Sequence, residues 1–491
     1  MVLGIPSDVH EIVSRVCVRP DVIDACRRHD LGAIITVLGT HGVTQGRIAA
    51  LTGISQGRLS EYRTGKREPK AATTFRDFAD GVGMPSVARE ALGLTSERLP
   101  RIGGQLPNEP GHDVDLLYLD SPTEAAGNLA LLWRSDLSDK ATLGGQLDPD
   151  AWKDASLRWL VDAGRESESE IARGVRIGLA DVDRFRATVD MFAQLDNRFG
   201  GGHAREALIQ YLSTDAERLL HGRYTDAVGR ALFSATAEAT LLAAWMSYDS
   251  MPGSGLAQRY FIQALSLARA GNDRLLGASV LDAMSRQATY TGRFAEAANL
   301  ARAAATGTRE VATATLTSHF HAMEARALAR VGDAKGCDRA LAEAVLEFER
   351  RNPEDDPHWI KYFDESELSA EFGHCFRDLG RPTDAAQYAS RSLVAVDGTT
   401  LLRSDFFVTM ILADAHLAAG DLEQACGVAL MALTAGEQIR SARCISYLRE
   451  FRQRLTMVGN SRLAAEFIEQ AAPSRLWRIA SGPSKGAGKE H

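Results

Sequence analysis

The C-terminal half of the chain contains an internal repeat of about 40 residues, and a repeat of this length strongly limits the possible folds. Four segments align without gaps: TGRFAEA, VGDAKGC, LGRPTDA and AGDLEQA. Small residues stand at their last position, seven residues later and twelve residues earlier: Ala297, Cys337, Ala385, Ala425, Ala304, Ala344, Ser392, Ala432, Ser285, Ala325, Gly373 and Ala413. This pattern predicts pairs of antiparallel helices that approach closely and stack into an α-solenoid.

Two further copies extend the repeat. AQRYFIQAL places Ala257 and Ala264 seven residues apart, and GNSRLAA places Ala464 in a closing copy. In this closing copy, Arg452 stands twelve residues before Ala464, where the four aligned copies have a small residue. Successive last positions, 257, 297, 337, 385, 425 and 464, step by 40, 40, 48, 40 and 39 residues. The long step contains RRNPEDDPHW, which we interpret as an inserted loop because proline ends helices.

The offsets of these small residues resemble those of the tetratricopeptide repeat, although the typical repeat has about 34 residues. The resemblance implies that the first helix of each pair lines a concave surface. Its inward-facing offsets fall on Asp282, Arg286, Tyr290, His319, Arg326, Arg330, Glu367, His374, Arg377 and Asp378. An arginine-rich groove suits a peptide or an anionic small-molecule effector. The alternative, that these side chains are solvated or pair with each other, remains open.

Near the N-terminus, residues 44–70 predict two short helices joined by a tight turn. Thr44 is a plausible N-cap of a helix whose Ile48, Ala49 and Leu51 recur at helical spacing. Gly53 can adopt the positive φ that a sharp reversal requires. Ser55 would cap the second helix, whose Leu59 and Tyr62 would pack inward.

The outer surface of the second helix would carry polar groups suited to DNA bases, namely Gln56, Gly57, Arg58, Ser60 and Glu61. Residues 44–70 hold six basic and two acidic residues, a net +4 in a chain of net −8, so the remainder sums to −12. A local basic patch on an acidic chain favours a localised nucleic-acid contact. An ordinary helical hairpin with a solvated basic face is the alternative.

These features together resemble the Cro/C1 (XRE) type of DNA-binding domain, which has a lambda-repressor-like helix-turn-helix fold. The resemblance implies that Gln45 contacts phosphate, whereas Gln56, Gly57 and Glu61, with Arg58 beside them, read bases. Gly57 departs from the pattern, since it has no side chain to contact a base. The predicted contacts with double-stranded DNA are Thr44, Gln45, Arg47, Ser55, Gln56, Gly57, Arg58, Ser60, Glu61, Arg63, Lys66, Arg67 and Lys70.

The predicted fold class is therefore all-α. We predict a DNA-binding domain at 1–95, a linker rich in proline and glycine at 96–113, a mainly helical middle region at 114–240, the solenoid at 241–475 and a disordered tail at 476–491. The first domain should contain helices at 20–28, 30–38 and 73–80. In the middle region, WKDASLRWLV is a possible strand, and Gly200 to Gly202 predict a turn between helices.

Catalysis is not expected. His319 and His321 lie two apart on a helix and face different ways, and the chain has no HExxH, nucleophile-elbow or complete phosphate-binding motif. The six scattered cysteines predict buried thiols and neither disulfides nor zinc, and we expect no metal and no cofactor. No apolar run is long enough for a membrane span and no signal region precedes the first domain, so a cytoplasmic protein without a membrane partner is expected.

The whole plan resembles two groups of regulators: the peptide-pheromone receptors with this domain order, and the actinobacterial helix-turn-helix/tetratricopeptide regulators of antibiotic production and sporulation. It implies a sequence-specific transcription regulator that forms a homodimer and senses a peptide or small molecule through its solenoid. The alternative is a protein-interaction scaffold whose N-terminal domain has lost useful DNA affinity.

Overall fold

A computed structural model describes residues 12–13, 15–17, 19–67, 69, 72–92, 116–138, 147–161, 175–394, 402–459 and 461–482. All regular secondary structure in these residues is helical, apart from one isolated β-bridge between Arg176 and Arg223. Contacts divide the chain into two compact units, Met1–Glu109 and Pro110–His491. The division falls inside the segment predicted as a linker, which itself lies outside the described residues.

The first unit is a group of short helices. They are α1 Pro20–Arg27, α2 Leu31–Thr40, α3 Gln45–Thr52, α4 Gln56–Arg63, α5 Ala72–Val82 and α6 Ser86–Ala91. The predicted helices at 20–28, 30–38 and 73–80 correspond to α1, α2 and α5. Ile48 of α3 and Leu59 of α4 are fully buried in one core with Phe78 of α5. Each short helix is thus held by its apolar face.

The second unit contains longer helices in chain order. Before the repeats lie α7 Pro122–Ser138, α8 Pro149–Val161, α9 Leu179–Phe199, α10 Arg205–Tyr211, a π-helical turn Leu212–Ala216 and α11 Glu217–Leu220. The next helices are α12 Asp226–Ser250, α13 Gly255–Ala270, α14 Arg274–Tyr290, α15 Phe294–Gly307, α16 Ala314–Val331, α17 Ala334–Glu349 and a 3₁₀ turn His358–Ile360. The last are α18 Glu365–Asp378, α19 Pro382–Val394, α20 Leu402–Ala418, α21 Leu422–Ala435, α22 Ala442–Met457, α23 Arg462–Ala471 and α24 Arg475–Ser481.

Consecutive helices from α12 to α21 pack as pairs, an arrangement compatible with an α-solenoid. All twelve small residues of the four aligned copies are buried. A glycine with positive φ lies five residues before the last aligned position in each of five copies: Gly292, Gly332, Gly380, Gly420 and Gly459. Since glycine adopts this conformation without steric cost, the repeat encodes both the turn and the close contact that follows it.

Two local predictions are wrong. WKDASLRWLV forms most of helix α8, because Trp152, Ala155 and Trp159 fall on one buried helical face, whereas a strand would separate them. The predicted disordered tail begins with helix α24, where Leu476 and Trp477 are buried and Trp477 packs edge-on against Phe467 at 5.1 Å. Residues 483–491 of that tail lie outside the described residues.

Two segments of the second unit that are far apart in the sequence are joined by a buried carboxylate, that of Asp249 at the end of α12. It accepts hydrogen bonds from Gly201 N at 3.0 Å, Ser441 Oγ at 2.8 Å and Arg443 Nε at 2.9 Å. Next to it, Arg440 N donates to Phe199 O at 2.7 Å. The glycine turn at 200–202 therefore docks on the segment before α22, more than 200 residues away in the sequence, and we call this contact the closure.

Helix α8 docks on the repeats through Trp159, which is 2 % exposed. Its indole lies against Gly277 of α14 and Gly307 of α15, where an added Cβ would come within 2.5 Å of Nε1 and 2.2 Å of Cζ3 respectively. The Arg274 guanidinium covers the ring at 3.9 Å from its centroid. The absence of a side chain at 277 and 307 makes room for this tryptophan.

We expect Gly277→Ala to lower the free energy of unfolding by about 1 to 3 kcal/mol, because the new methyl group overlaps a buried indole that cannot move freely. Gly427→Ala is the matched control, since Gly427 also lies inside a helix but has open space around its Cβ position. That control should be neutral or stabilising by up to about 1 kcal/mol through helix propensity. Denaturant unfolding measures both, and equal effects would contradict the docking described for Trp159.

Candidate functional site

Helix α4 presents its first turn to solvent. Gln56, Gly57 and Arg58 are exposed, while Leu59 and Tyr62 anchor the opposite face in the core at 0 % and 7 % exposure. No atom lies within 4 Å of the Cβ position of Gly57, so this surface is open. The amide of Gln56 and the guanidinium of Arg58 are thus carried on a rigid short helix and stand clear of the unit's core.

The turn between α3 and α4 has the geometry expected from the sequence. Thr44 Oγ1 accepts a hydrogen bond from Arg47 N at 3.4 Å, and α3 ends at Gly53 with φ +68°. Ser55 occupies the N-cap position of α4, but its hydroxyl makes no capping hydrogen bond. The two helices therefore cross at a tight reversal that glycine makes possible.

The other predicted DNA contacts differ in their availability. Arg47, Arg63, Lys66 and Arg67 are exposed, whereas Ser60 is half-buried. Glu61 is also half-buried and its carboxylate lies 3.7 Å from Arg67, so part of its charge is already compensated. The side-chain amide nitrogen of Gln45 is buried and has no hydrogen-bond partner among the described residues. Lys70 lies outside the described residues.

The predicted concave-face residues of the second unit come together, and they pair with each other and with their neighbours. Arg286 of α14 and Arg326 of α16 both contact the carboxylate of Glu371 in α18, which is buried. His319 Nδ1 lies 2.9 Å from Asp282 Oδ2, and both residues are buried. Residues from three successive first helices thus share one face, as the repeat offsets imply.

The remaining predicted residues are engaged in the same way. Arg377 Nη2 contacts Asp378 Oδ1 at 2.8 Å, and Arg330 Nη1 lies 3.9 Å from the same oxygen. Tyr290 shares a hydrogen bond of 2.8 Å with Ser446 of α22. His374 is buried next to Tyr447, whose hydroxyl is 3.4 Å from Nδ1, and burial together with the nearby arginines lowers its pKa. It is therefore neutral at pH 7.

The repeat offsets do not predict two further residues of this face, Glu371 and Tyr362. Glu371, the acceptor for two arginines, lies one helical turn after Glu367, and that spacing is the signal that places both on one face. Tyr362 follows the insert in the segment between α17 and α18, and its hydroxyl is 3.4 Å from His319 Nε2 while 49 % of its surface is exposed. This segment thus contacts the first helix α16, which loop composition alone does not indicate.

The pKa values of Glu367 and Glu371 in α18 are shifted in opposite directions. Burial alone would raise the pKa of Glu371, but Arg286 and Arg326 outweigh it and lower the value to about 2. For Glu367, burial and the neighbouring Glu371 raise the pKa to about 7. The face therefore combines a fully ionised carboxylate with one that is partly protonated near neutral pH.

A comparison with protein-family models finds no match to the chain, and a comparison with curated proteins finds none either. All six cysteines are buried with free thiols. Among the described residues, no group of three His, Cys, Asp or Glu side chains could hold a metal ion. Within the same part of the chain, no helix combines the length and apolar character that crossing a bilayer requires.

Glu371→Gln should lower the free energy of unfolding by about 3 kcal/mol at pH 7, because it leaves two arginines without their buried carboxylate. The lowered pKa of Glu371 stabilises the fold above the unfolded value near 4.5, and this contribution is lost as pH falls toward 2. The difference from the unmodified protein should therefore shrink with acidification.

The matched control is Glu365→Gln on the same helix, whose partner Arg391 is exposed, and its effect should stay below about 1 kcal/mol. Denaturant titrations between about pH 7 and pH 3 measure both variants. If the two substitutions have equal effects at pH 7, Glu371 is not the central acceptor of this face.

Proposed function

We propose that this chain is a sequence-specific DNA-binding regulator of transcription that works in the cytoplasm. Its first unit reads double-stranded DNA, and its second unit pairs two copies and senses a peptide or small-molecule effector. The observation that carries the proposal is the exposed first turn of α4, with Gln56 and Arg58 free of the core behind them. Gln pairs with adenine and Arg with guanine when such a turn enters the major groove.

The surrounding charges support the same proposal. Arg47, Arg63, Lys66 and Arg67 are exposed around α3 and α4, which suits them to phosphates on either side of a groove. The tight turn at Gly53 and the resemblance to the Cro/C1 type point in the same direction. The buried amide of Gln45 could reach a phosphate only after its side chain rotates. Of the predicted contacts, this one therefore needs a rearrangement before DNA binds.

The effector half of the proposal rests on the concave face, where Tyr362 and the half-buried Glu367 are open to solvent in part. The arginines predicted to hold an anion are already paired with Glu371, Asp378 and their neighbours. An effector would therefore have to exchange partners with these pairs. It shifts the protein between DNA-binding and non-binding forms only if it binds the two with unequal affinity.

Arg58→Ala and Gln56→Ala should each weaken binding to the selected site by about 1 to 3 kcal/mol and relax the preference at one base pair, because each removes a base contact. Lys66→Ala should weaken binding to all sequences and reduce the salt slope by about one. Arg28→Ala is the control, since Arg28 is an exposed residue of the first unit outside 44–70.

The measurement is selection of bound fragments from genomic DNA, followed by gel shifts at several salt concentrations. A regulator enriches a short site. A protein-interaction scaffold enriches none, and retention of both affinity and preference in the Gln56 and Arg58 variants would refute the assignment of α4.

We further expect two chains per site and a palindromic sequence whose half-sites lie about 34 Å apart, because paired recognition helices enter successive major grooves. Sedimentation of the full chain, alone and with the selected DNA, measures this stoichiometry. One chain per site at saturating protein would contradict pairing while leaving DNA recognition intact.

A further inference from the structure

A cavity of about 480 Å³ lies on the second unit, away from the concave-face residues. It is formed by helices α9 and α12 and by the turn between α13 and α14. Its polar lining consists of Arg186, Arg230, Ser234, Asn272, Asp273 and Arg274. The volume lies within the range of about 300 to 1,000 Å³ that is usual for small-molecule sites.

The lining is strongly basic on a chain of net charge −8. The lining contains three arginines, Arg186, Arg230 and Arg274, and one acidic residue, Asp273. Both oxygens of that carboxylate are already used: Oδ1 accepts from Leu276 N at 3.0 Å, and Oδ2 accepts from Ser234 Oγ at 2.7 Å. Asp273 therefore fixes the start of α14, and its one negative charge leaves the three arginines in excess in the lining.

The three arginines differ in the contacts that hold their side chains. The Arg274 guanidinium is fixed on the Trp159 ring and donates to the carbonyls of Trp159 at 2.8 Å and Gly307 at 3.0 Å. Arg186 Nη2 lies 3.2 Å from Glu238 Oε1, and it shares this carboxylate with His358 of the insert. Arg230 is exposed and forms no ion pair with any described residue.

We propose that this cavity binds a small multivalent oxyanion, such as a phosphorylated or polycarboxylated metabolite. Guanidinium groups bind phosphate and carboxylate oxygens through paired N–H donors, and Arg274 and Arg186 are already oriented by their other contacts. Arg230 supplies the mobile third group that closes on the ligand. The site is distinct from the concave face and does not depend on DNA recognition.

Binding of an oxyanion would also affect the contact that the insert makes with α12. When an oxyanion engages Arg186, it competes with Glu238 for the same guanidinium, and Glu238 keeps its contact with His358. Tyr362, four residues after His358 in the segment between α17 and α18, contacts His319 on the predicted concave face. Occupancy of the cavity thus acts on the contact that holds the insert to α12.

The test is calorimetric titration of the full chain with inorganic pyrophosphate and, separately, with citrate at constant ionic strength. We expect one site per chain, with Arg230→Gln weakening binding about tenfold, which corresponds to about 1.4 kcal/mol. Arg230→Lys should recover part of the loss, since it restores the charge without the paired donors. Because Arg230 is exposed, the melting temperature of the Arg230→Gln chain should equal that of the unmodified chain. Weaker binding at an unchanged melting temperature separates lost binding from lost folding.

Arg184→Gln is the matched control, since Arg184 is an exposed arginine of the same helix α9 that contacts Asp181 outside the cavity. Its dissociation constant should stay within about twofold of the unmodified chain, because a nonspecific charge effect alone would move both variants equally. The preferred probe identifies the ligand as phosphorylated or polycarboxylated. Absence of binding by both probes, or equal weakening in Arg184→Gln and Arg230→Gln, would overturn the proposal.

Discussion

The buried carboxylate of Asp249 is the interaction on which the arrangement of the second unit depends. In an array of helix pairs, each pair contacts mainly its neighbours, so a contact between segments far apart in the sequence is an additional constraint on the array. Asp249 joins Gly201 to Ser441 and Arg443, which lie more than 200 residues further along the chain. A buried charge without partners costs several kcal/mol, so the closure holds these segments together.

The predicted concave face differs from an open, arginine-rich groove because its side chains contact each other. Arg286 reaches Glu371 two pairs further along, and Tyr290 reaches Ser446 on α22. A ligand that binds here therefore has to exchange partners within a network of existing contacts.

The sequence predicts the local features of this structure well and the long-range pairing poorly. Small residues and turn glycines repeat because each pair solves the same packing problem, so their periodicity alone locates helices α14 to α21. Arg286 and Arg326 both contact Glu371, and although the spacing of Glu367 and Glu371 places both on one face of α18, it does not show which of the two the arginines contact. The error in α8 has the opposite cause: a strand is the wrong period for residues 152–161, because Trp152, Ala155 and Trp159 fit a helix. At α4 the exposed turn follows from Leu59 and Tyr62 alone, whereas the burial of the Gln45 amide depends on the core behind it.

The two glutamates of α18 show how the same helix face can hold charge in two states. Glu371 contacts two guanidinium groups, and their field outweighs the cost of burial, so it stays ionised at any physiological pH. Glu367 lies one turn earlier, is half-buried, and faces the negative charge of Glu371. Because its pKa is about 7, its charge responds to small changes in pH or in the charge of a neighbouring group. A cationic ligand next to Glu367 would favour its ionised form, and an anionic one would favour its protonated form.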